Sequence, residues 1–221
     1  MTIYSMYITK PWHIYFPVLF RYLEQEYIDA FFRDGSLRLS SFKQFAKHKD
    51  EARNDWGEGK FVFEITYEKT MMSGIALFGG EAYVLSASLV ESRDLMNMFG
   101  YNGYFKINDP AGFGIAISSQ LAGFSRGFQG PCFYSDSRPI KYASEKPVLE
   151  PWPETEEEKE KWGDESQQMM HEETKLDPYF VKATRYASQN EYRLLWCISG
   201  NVDNYIDIKC PEAIKFCTKI T

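Results

Sequence analysis

The sequence predicts an α+β fold with mostly antiparallel strand pairing and a few short helices. Of its 221 residues, 44% are hydrophobic and 17% are aromatic, which is ample apolar surface for one core. A helical periodicity occurs early in the chain, and many short runs of alternating apolar residues follow it. An early helix followed by a series of strands is typical of an α+β domain. We therefore expect residues 1–221 to form a single domain.

The first half of the chain begins with an apolar strand and a short helix. The strand is predicted over 14–23, in IYFPVLFRYL. In the helix, over 24–35, apolar residues recur at helical spacing, and Gly35 is suited to end it. The elements predicted next are a strand at 36–41, one helical turn at 42–48, a polar loop at 50–59, strands at 60–69 and 82–89, and a helix at 92–100.

The second half of the chain is predicted to contain short strands and one charged segment. Residues 145–178 bring prolines, a charge run and little periodicity, so we expect an insertion or flexible arm whose centre can form a solvated helix. The other elements predicted are strands at 104–109 and 112–118, a short helix or loop at 120–128, a strand at 138–144, and strands within 179–199, at 205–209 and at 214–220.

Charge is unevenly distributed along the chain. The net charge of −6 argues against a general nucleic-acid-binding protein. Residues 150–173 hold ten acidic and two basic residues, which leaves the rest of the chain near +2. Residues 33–53 hold six basic and three acidic residues. This stretch indicates a basic face that contacts either nucleic-acid phosphates or a protein. The residues expected to contact nucleic acid are Arg38, Lys43, Lys47, Lys49 and Arg53.

Several classes of protein are disfavoured by the composition. Three histidines without metal-ligand spacing and four cysteines without CxxC spacing disfavour a zinc site, and disulfide bonds are not expected either. No segment reaches the roughly 20 apolar residues that span a bilayer. The N-terminus lacks the pattern of a signal peptide. We expect a cytoplasmic protein that uses no metal and contacts no membrane.

Arg21 and two serines are candidates for a binding site. Arg21 lies in an otherwise apolar strand, where an unpaired guanidinium is too costly to bury. It either forms an internal salt bridge, reaches solvent at an edge or binds phosphate. Ser86 and Ser88 share one face of their strand, so they either face solvent or line a ligand pocket.

Glu191 is the candidate catalytic carboxylate. It begins the late strand EYRLLW, where the following residues alternate as in a buried strand. Its carboxylate either acts as a base or stabilises developing positive charge, or it pairs with Arg185 or Arg193. On the residues alone, the salt bridge is the favoured interpretation.

A hydrolase is the alternative enzyme class. Gly123, Ser125 and Gly127 satisfy the GxSxG pattern, but a nucleophile elbow also needs a preceding strand, a following helix and a histidine partner. The acidic residues Asp50, Asp55 and Glu58 are a second set of candidates for hydrolysis. Both hydrolase hypotheses rank below the hypothesis that Glu191 is the catalytic carboxylate.

Five segments carry a resemblance to known proteins: LFRYLEQEYIDAFFRDGSLRLSSFKQF, DEARND, VLSASLVESRDLMNMFGYNG, GFGIAIS and NEYRLLW. In this order they resemble a large bacterial family of unknown function that is often found in phage-defence loci. The late Glu–Tyr–Arg strand is the most specific of them. Two positions depart from the family pattern: Phe99 replaces the expected tryptophan, and Tyr101 lies one place from the usual tyrosine.

The order of these segments also resembles ADP-ribosyltransferases of the Arg–Ser–Glu type. In that fold, an arginine on the first core strand, a Ser-x-Ser strand and a late glutamate correspond here to Arg21, to Ser86 with Ser88, and to Glu191. The resemblance implies an ADP-ribosyltransferase-like split antiparallel sheet, with NAD as co-substrate and no metal.

The implied chemistry assigns roles to individual residues. Cleavage of the nicotinamide–ribose bond leaves positive charge on the ribose, which a carboxylate stabilises, while an arginine binds the pyrophosphate. Arg21, Ser86 and Glu191 are therefore the expected catalytic residues. An aromatic ring such as Phe99 or Tyr101 is expected to stack on nicotinamide. The residues expected to contact NAD are Arg21, Tyr22, Ser40, Ser86, Ser88, Phe99 and Tyr101.

The resemblance also implies partners. It predicts transfer of ADP-ribose to a macromolecule, with nucleic acid and RNA in particular favoured, by a bacterial toxin or anti-phage effector. A toxin of this kind is expected to have a neutralising antitoxin. The alternative is a non-catalytic module of a defence system that binds or senses a nucleotide.

Overall fold

An eight-stranded antiparallel sheet forms the centre of the molecule. The computed structural model describes residues 17–45, 59–67, 70–136, 139–143, 154–159, 161, 177–200 and 202–220. The strands are β1 Leu19–Leu23, β2 Ser36–Ser41, β3 Lys60–Tyr67, β4 Thr70–Leu77, β5 Ala82–Ser88, β6 Gly103–Ile107, β7 Phe124–Pro131, β8 Phe133–Tyr134, β9 Pro139–Ala143, β10 Val181–Lys182, β11 Glu191–Ile198, β12 Tyr205–Lys209 and β13 Cys217–Lys219. The predicted α+β class with mostly antiparallel pairing is confirmed.

Short helices connect and cover the strands. They are α1 Gln25–Asp34, α2 Phe42–Phe45, α3 Arg93–Met98, α4 Pro110–Ser118 and α5 Asp177–Phe180, with 3-10 helices at Thr184–Gln189 and Pro211–Phe216. None of the helices in the described ranges is long and apolar enough to cross a lipid bilayer.

The central sheet has the order β12-β2-β5-β1-β6-β13, and β11 joins β5 to β7. All of its pairings are antiparallel. Two small sheets accompany it, one of β4-β3-β9 and one of β10-β8. Strands β3 and β9 pair in parallel, as do β10 and β8, so the antiparallel pattern is not universal.

Strand β5 is where the sheet divides. One edge of β5 pairs with β11 along its whole length, from Glu191↔Ser88 to Cys197↔Ala82. The other edge pairs with β1 only at Phe20↔Ser88, and with β2 at Ser40↔Val84 and Ser41↔Tyr83. The edge of β5 at Leu85–Ala87 therefore lies between two different neighbours, and its backbone groups need other partners there.

The two faces of β5 and β11 have different surroundings. Strand alternation places Leu85 and Leu194 on one face, in the main hydrophobic core, which α1 and α4 cover with Phe31 and Phe113. The opposite face carries a smaller apolar cluster, which includes Val84, Leu195, Phe42 and Tyr179. Ser86, Ser88 and Glu191 belong to this second face, because they alternate with the core residues.

Gly35 fixes the turn from α1 into β2. It has φ of +75°, and its N–H donates to the Phe31 carbonyl at 2.7 Å, which ends the helix in the predicted manner. A Cβ at this position would lie 2.3 Å from the Cys210 carbonyl carbon. Only glycine therefore satisfies both the backbone angle and the close contact.

Three predicted elements differ from the structure. Residues 112–118 belong to helix α4 instead of a strand, because Asp109 caps it by accepting from the Gly112 N–H and Pro110 begins it. A short apolar run does not distinguish a buried helix from a strand. Residues 124–128 of the predicted helix or loop belong to β7. Of the strand predicted at 214–220, only Cys217–Lys219 is a strand, β13, and 214–216 belong to a 3-10 helix. Strand β4 was not predicted.

Part of the predicted organisation lies outside the described residues. Within the charged segment 145–178, residues 154–159 and 161 are exposed, and 156–159 form a helical turn as expected for a solvated helix. The loop predicted at 50–59 is described only at its last residue. Lys47, Lys49, Arg53, Asp50, Asp55 and Glu58 all lie outside the described residues.

Candidate functional site

A pocket of about 810 Å³ opens where β1 and β2 separate along the edge of β5. Its floor is formed by the serines of β5 and the first residue of β11. Its two walls come from β1 and from β2 with β12. The predicted residues Arg21, Tyr22, Ser40, Ser86, Ser88, Phe99, Tyr101 and Glu191 all line this pocket.

Glu191 is a charged residue of the pocket that several hydrogen bonds hold in place. It is 6% exposed. Its Oε1 accepts from the Ser86 hydroxyl at 2.7 Å and from Arg193 Nε at 2.7 Å, and its Oε2 accepts from Lys182 Nζ at 2.5 Å. The Glu191 N–H donates to the Tyr134 hydroxyl at 2.7 Å. Both the backbone and the carboxylate of Glu191 are therefore held in one orientation.

The salt-bridge interpretation of Glu191 is confirmed for Arg193, and its catalytic role stays a prediction. Register pairs Arg193 with Ser86 and Glu191 with Ser88, so all four side chains share one face of the sheet. The carboxylate bonds to a serine and to one of the two suggested arginines. The other, Arg185, lies over the ring of Tyr186 at 4.8 Å and is exposed.

Lys182 is a residue of this network that the sequence did not reveal. It is 7% exposed and also donates to Gln189 Oε1 at 2.8 Å. Burial alone would lower the pKa of Lys182, but the neighbouring Glu191 carboxylate outweighs burial and raises the pKa above its ordinary value. Lys182 is therefore a buried, protonated partner of Glu191. A lone lysine in a two-residue strand carries no sequence signal for this role.

Arg21 replaces a missing strand partner. One of its terminal nitrogens donates to the Ser86 carbonyl at 2.6 Å, on the part of β5 that lies between β1 and β2. The guanidinium thereby satisfies a backbone acceptor where the sheet divides, and it also lines the pocket. Its role as a phosphate contact stays a prediction.

The second serine has a structural role next to the pocket. The Ser88 hydroxyl donates to the Gln189 carbonyl at 2.9 Å and accepts from the Val90 N–H at 3.1 Å. These bonds join the end of β5 to the residues that precede Glu191. Ser88 thus orients the start of β11, while Ser86 contacts the carboxylate directly.

Aromatic rings form the wall at the β1 side of the pocket. The rings of Tyr22 and Phe99 have centroids 6.4 Å apart, and those of Phe99 and Tyr101 are 6.1 Å apart. The Tyr22 hydroxyl donates to the Val90 carbonyl and accepts from the Ser92 N–H, which fixes the ring. Burial raises the pKa of Tyr22, so it stays neutral at physiological pH.

The opposite wall is polar and contains the predicted basic residue Arg38. Its guanidinium donates to both carboxylate oxygens of Asp207, at 2.7 and 2.8 Å, and lies 4.0 Å from the ring centroid of Tyr205. Arg38 thus has a carboxylate partner, and its role as a phosphate contact stays a prediction. Lys43 donates to the Val202 carbonyl at 3.4 Å.

The serine candidate for a hydrolase is not supported by geometry, and the acidic candidates Asp50, Asp55 and Glu58 lie outside the described residues. Ser125 lies within β7, and its hydroxyl donates to the Cys197 carbonyl at 3.1 Å. It does not occupy the turn between a strand and a helix that a nucleophile elbow requires. Among the described residues, no group of three or more His, Cys, Asp or Glu side chains could hold a metal ion.

Comparisons with known proteins find no match. No family model matches the chain, and neither a curated protein nor a solved structure does.

Proposed function

We propose that this chain binds NAD in the pocket and transfers its ADP-ribose to a macromolecule. One observation carries the proposal: Arg21, Ser86, Ser88 and Glu191, which are far apart in sequence, line one pocket of about 810 Å³ at the division of the central sheet. A dividing antiparallel sheet with these residues also agrees with an ADP-ribosyltransferase-like core. A pocket of this size falls within the usual range of about 300–1,000 Å³ for ligand sites.

The pocket has the chemistry that a dinucleotide needs. Arg21 offers a planar guanidinium, which matches phosphate oxygens better than a point charge does. The ring surfaces of Phe99 and Tyr101 suit the flat nicotinamide group. The pocket walls thus pair a cation for the pyrophosphate with rings for the bases.

Glu191 would stabilise the charge that develops on the ribose. In the reaction, the bond between the ribose and the nicotinamide nitrogen breaks, and its electron pair neutralises the pyridinium nitrogen. A nucleophile of the acceptor then bonds to the ribose carbon and loses a proton to water. A carboxylate with four lone-pair directions still has one to offer a ribose hydroxyl after accepting from Ser86, Arg193 and Lys182. Because these donors hold it still, it needs no reorganisation during the reaction.

Nucleic acid, RNA in particular, is the acceptor that we propose. The support is the basic stretch 33–53, of which Arg38 and Lys43 are among the described residues. The roles as a toxin or anti-phage effector, with a neutralising partner, rest on the resemblance to such domains.

A nucleotide-binding module without turnover is the second candidate. One observation favours it: Glu191 is 6% exposed and already accepts three hydrogen bonds, two of them from cations. The positive charges of Lys182 and Arg193 offset the charge that the carboxylate presents to a substrate. In this case NAD or a related nucleotide would bind and be released unchanged.

The experiment is incubation with NAD that carries a label in its adenosine half, together with RNA, DNA or protein. The proposal predicts nicotinamide release and transfer of label to one acceptor. A matched control is Glu91→Gln, because Glu91 is a glutamate outside the pocket that pairs with Lys106 at 3.1 Å. Glu191→Gln should lose nicotinamide release and Glu91→Gln should keep it. NAD binding without release in the wild type would select the second candidate.

A further inference from the structure

The polar wall of the pocket carries an exposed aromatic–guanidinium stack. Tyr205, in β12, is 45% exposed, and the Arg38 guanidinium lies 4.0 Å from its ring centroid. Asp207 accepts from Nε and from a terminal nitrogen of Arg38. Two bonds to one carboxylate fix the plane of the guanidinium, so the stack is formed before any ligand arrives.

A second exposed ring lies on the same side of the pocket. Tyr27, in α1, is 57% exposed, and its phenol is close enough to Arg38 to interact with it electrostatically. Tyr27, Arg38 and Tyr205 all line the pocket. Three exposed flat groups therefore line the pocket.

The position of β12 leaves room for an extended ligand. β12 pairs only with β2 among the described strands, so it forms an edge of the central sheet. Tyr205, Asp207 and Lys209 alternate along one face of this strand. Lys209 follows Tyr205 by four residues, about 13 Å at the usual rise per residue. Its ammonium pairs with Asp34 at 3.3 Å but stays largely exposed, so it can also meet a phosphate.

These features match a nucleobase better than they match a protein side chain. Bases in single-stranded nucleic acid stack on tyrosine rings and on arginine planes, which tolerate any base. Tyr205 and Lys209, on one face of β12, place a flat stacking group and a cation on the same strand, which suits a ligand that carries both a base and a phosphate. A simple phosphate clamp would not need two exposed tyrosines, which provide no positive charge.

We infer that Tyr27, Arg38 and Tyr205 form a stacking site for a nucleobase in the pocket. The base comes from a single strand of nucleic acid, and competition with AMP shows whether the site also accepts the adenosine of a dinucleotide. As a statement about the acceptor, this inference rests on the proposed function. As a statement about base binding, it is independent of NAD turnover.

The test measures binding of a short, fluorescein-labelled RNA single strand by fluorescence anisotropy, without NAD. Stacking on an aromatic ring contributes about 1–3 kcal/mol per base, so Tyr205→Ala should weaken binding about 5- to 150-fold. Tyr205→Phe keeps the ring and should bind like the wild type. Arg38→Lys keeps the charge but removes the plane, and it should weaken binding roughly tenfold.

An abasic strand of the same length separates stacking from charge. It retains the phosphates, so Tyr205→Ala and the wild type should bind it equally. The dependence of affinity on salt should be the same for both proteins, because tyrosine contacts no counterion-carrying group. The melting temperature of Tyr205→Ala reports whether the exposed edge strand is intact.

Competition identifies the source of the base. If AMP displaces the strand from the wild type, the site also accepts adenosine, and if AMP does not, the site serves the strand alone. Either result supports the inference. It is overturned if the wild type does not bind the strand, if Tyr205→Ala binds it as tightly as the wild type, or if the loss is the same on the abasic strand. NAD turnover without any base stacking would leave the proposed function standing and remove this site.

Discussion

Replacement of Glu191 by Gln should destabilise the protein strongly, before any effect on chemistry is considered. The change keeps the shape of the side chain and removes its charge. Lys182 and Arg193 would then remain buried, with exposed side-chain fractions of 9% and 0%, opposite a neutral amide. An amide has only one oxygen that accepts hydrogen bonds, and its NH₂ group only donates, so glutamine cannot accept from both cations with separate oxygens as the carboxylate does.

The magnitude follows from the geometry of the cluster. At an effective dielectric constant near 20, opposite unit charges 2.5 Å apart attract by about 7 kcal/mol, and desolvation offsets several kcal/mol for each ion. Removal of one partner from a buried ion pair costs about 3–5 kcal/mol. For a chain of this length, that is a fall of about 6–20 °C in the melting temperature.

The assay is a double-mutant cycle in urea. Glu191→Gln, Lys182→Met and the double variant are unfolded alongside the wild type, and midpoints are compared at constant slope. Because Lys182→Met removes the ammonium that the amide leaves unpaired, the double variant should be more stable than the sum of the single changes by about 2 kcal/mol. Additive losses within about 0.5 kcal/mol, or a Glu191→Gln variant as stable as the wild type, would refute this reasoning.

Three further predictions follow from the same structure. The Ser36 hydroxyl donates to the Asp34 carboxylate and is the main cause that lowers the pKa of Asp34 to about 2. Ser36→Ala should therefore raise the pKa of Asp34 toward its ordinary value in a carboxyl NMR titration, and an unchanged pKa would contradict this. Gly35→Ala should lower the free energy of unfolding in urea by about 3 kcal/mol or more, because the added Cβ meets the Cys210 carbonyl group. Gly100 has φ of +67° with nothing within 4 Å of an added Cβ, so Gly100→Ala should cost only about 1 kcal/mol. Equal losses would show that the Cys210 contact does not matter. The pKa of Lys182 is raised in the folded protein. Its ammonium therefore stabilises the fold fully below about pH 10.4, and this stabilisation is lost as the pH rises through the folded-state pKa. The difference in unfolding free energy between the wild type and Lys182→Met should therefore shrink only above about pH 10.4.

The sequence predicted the strands that carry the pocket better than it predicted the surrounding elements. The alternation around Ser86 and Ser88 and the glycine at position 35 are local signals, and the structure confirms both strand and turn. The run GFGIAIS is apolar on all sides, so its periodicity did not reveal helix α4, although Asp109 and Pro110 mark its start.

The charged network could be predicted only in part. The resemblance to ADP-ribosyltransferases predicted that Arg21, Ser86 and Glu191 share one site, and all three line the same pocket. Lys182 precedes Glu191 by nine residues, and the 3-10 helix Thr184–Gln189 folds the chain back so that the two side chains meet. That reversal is a tertiary property, which no spacing in the sequence encodes. Arg193 was expected as a rival partner of Glu191, and it proves to be an additional one.

The rate of nicotinamide release from NAD tests the central claim most directly. It should be measured for the wild type, for Lys182→Met and for the double variant Lys182→Met with Glu191→Gln. The last two proteins differ only in the carboxylate. Because Arg193 loses its partner in the double variant, the melting temperature of each protein is measured to show that it is folded. The account predicts release by the wild type and by Lys182→Met, and a rate lower by about 10²- to 10³-fold in the double variant. Equal rates in these two variants, or no release by the folded wild type, would contradict it.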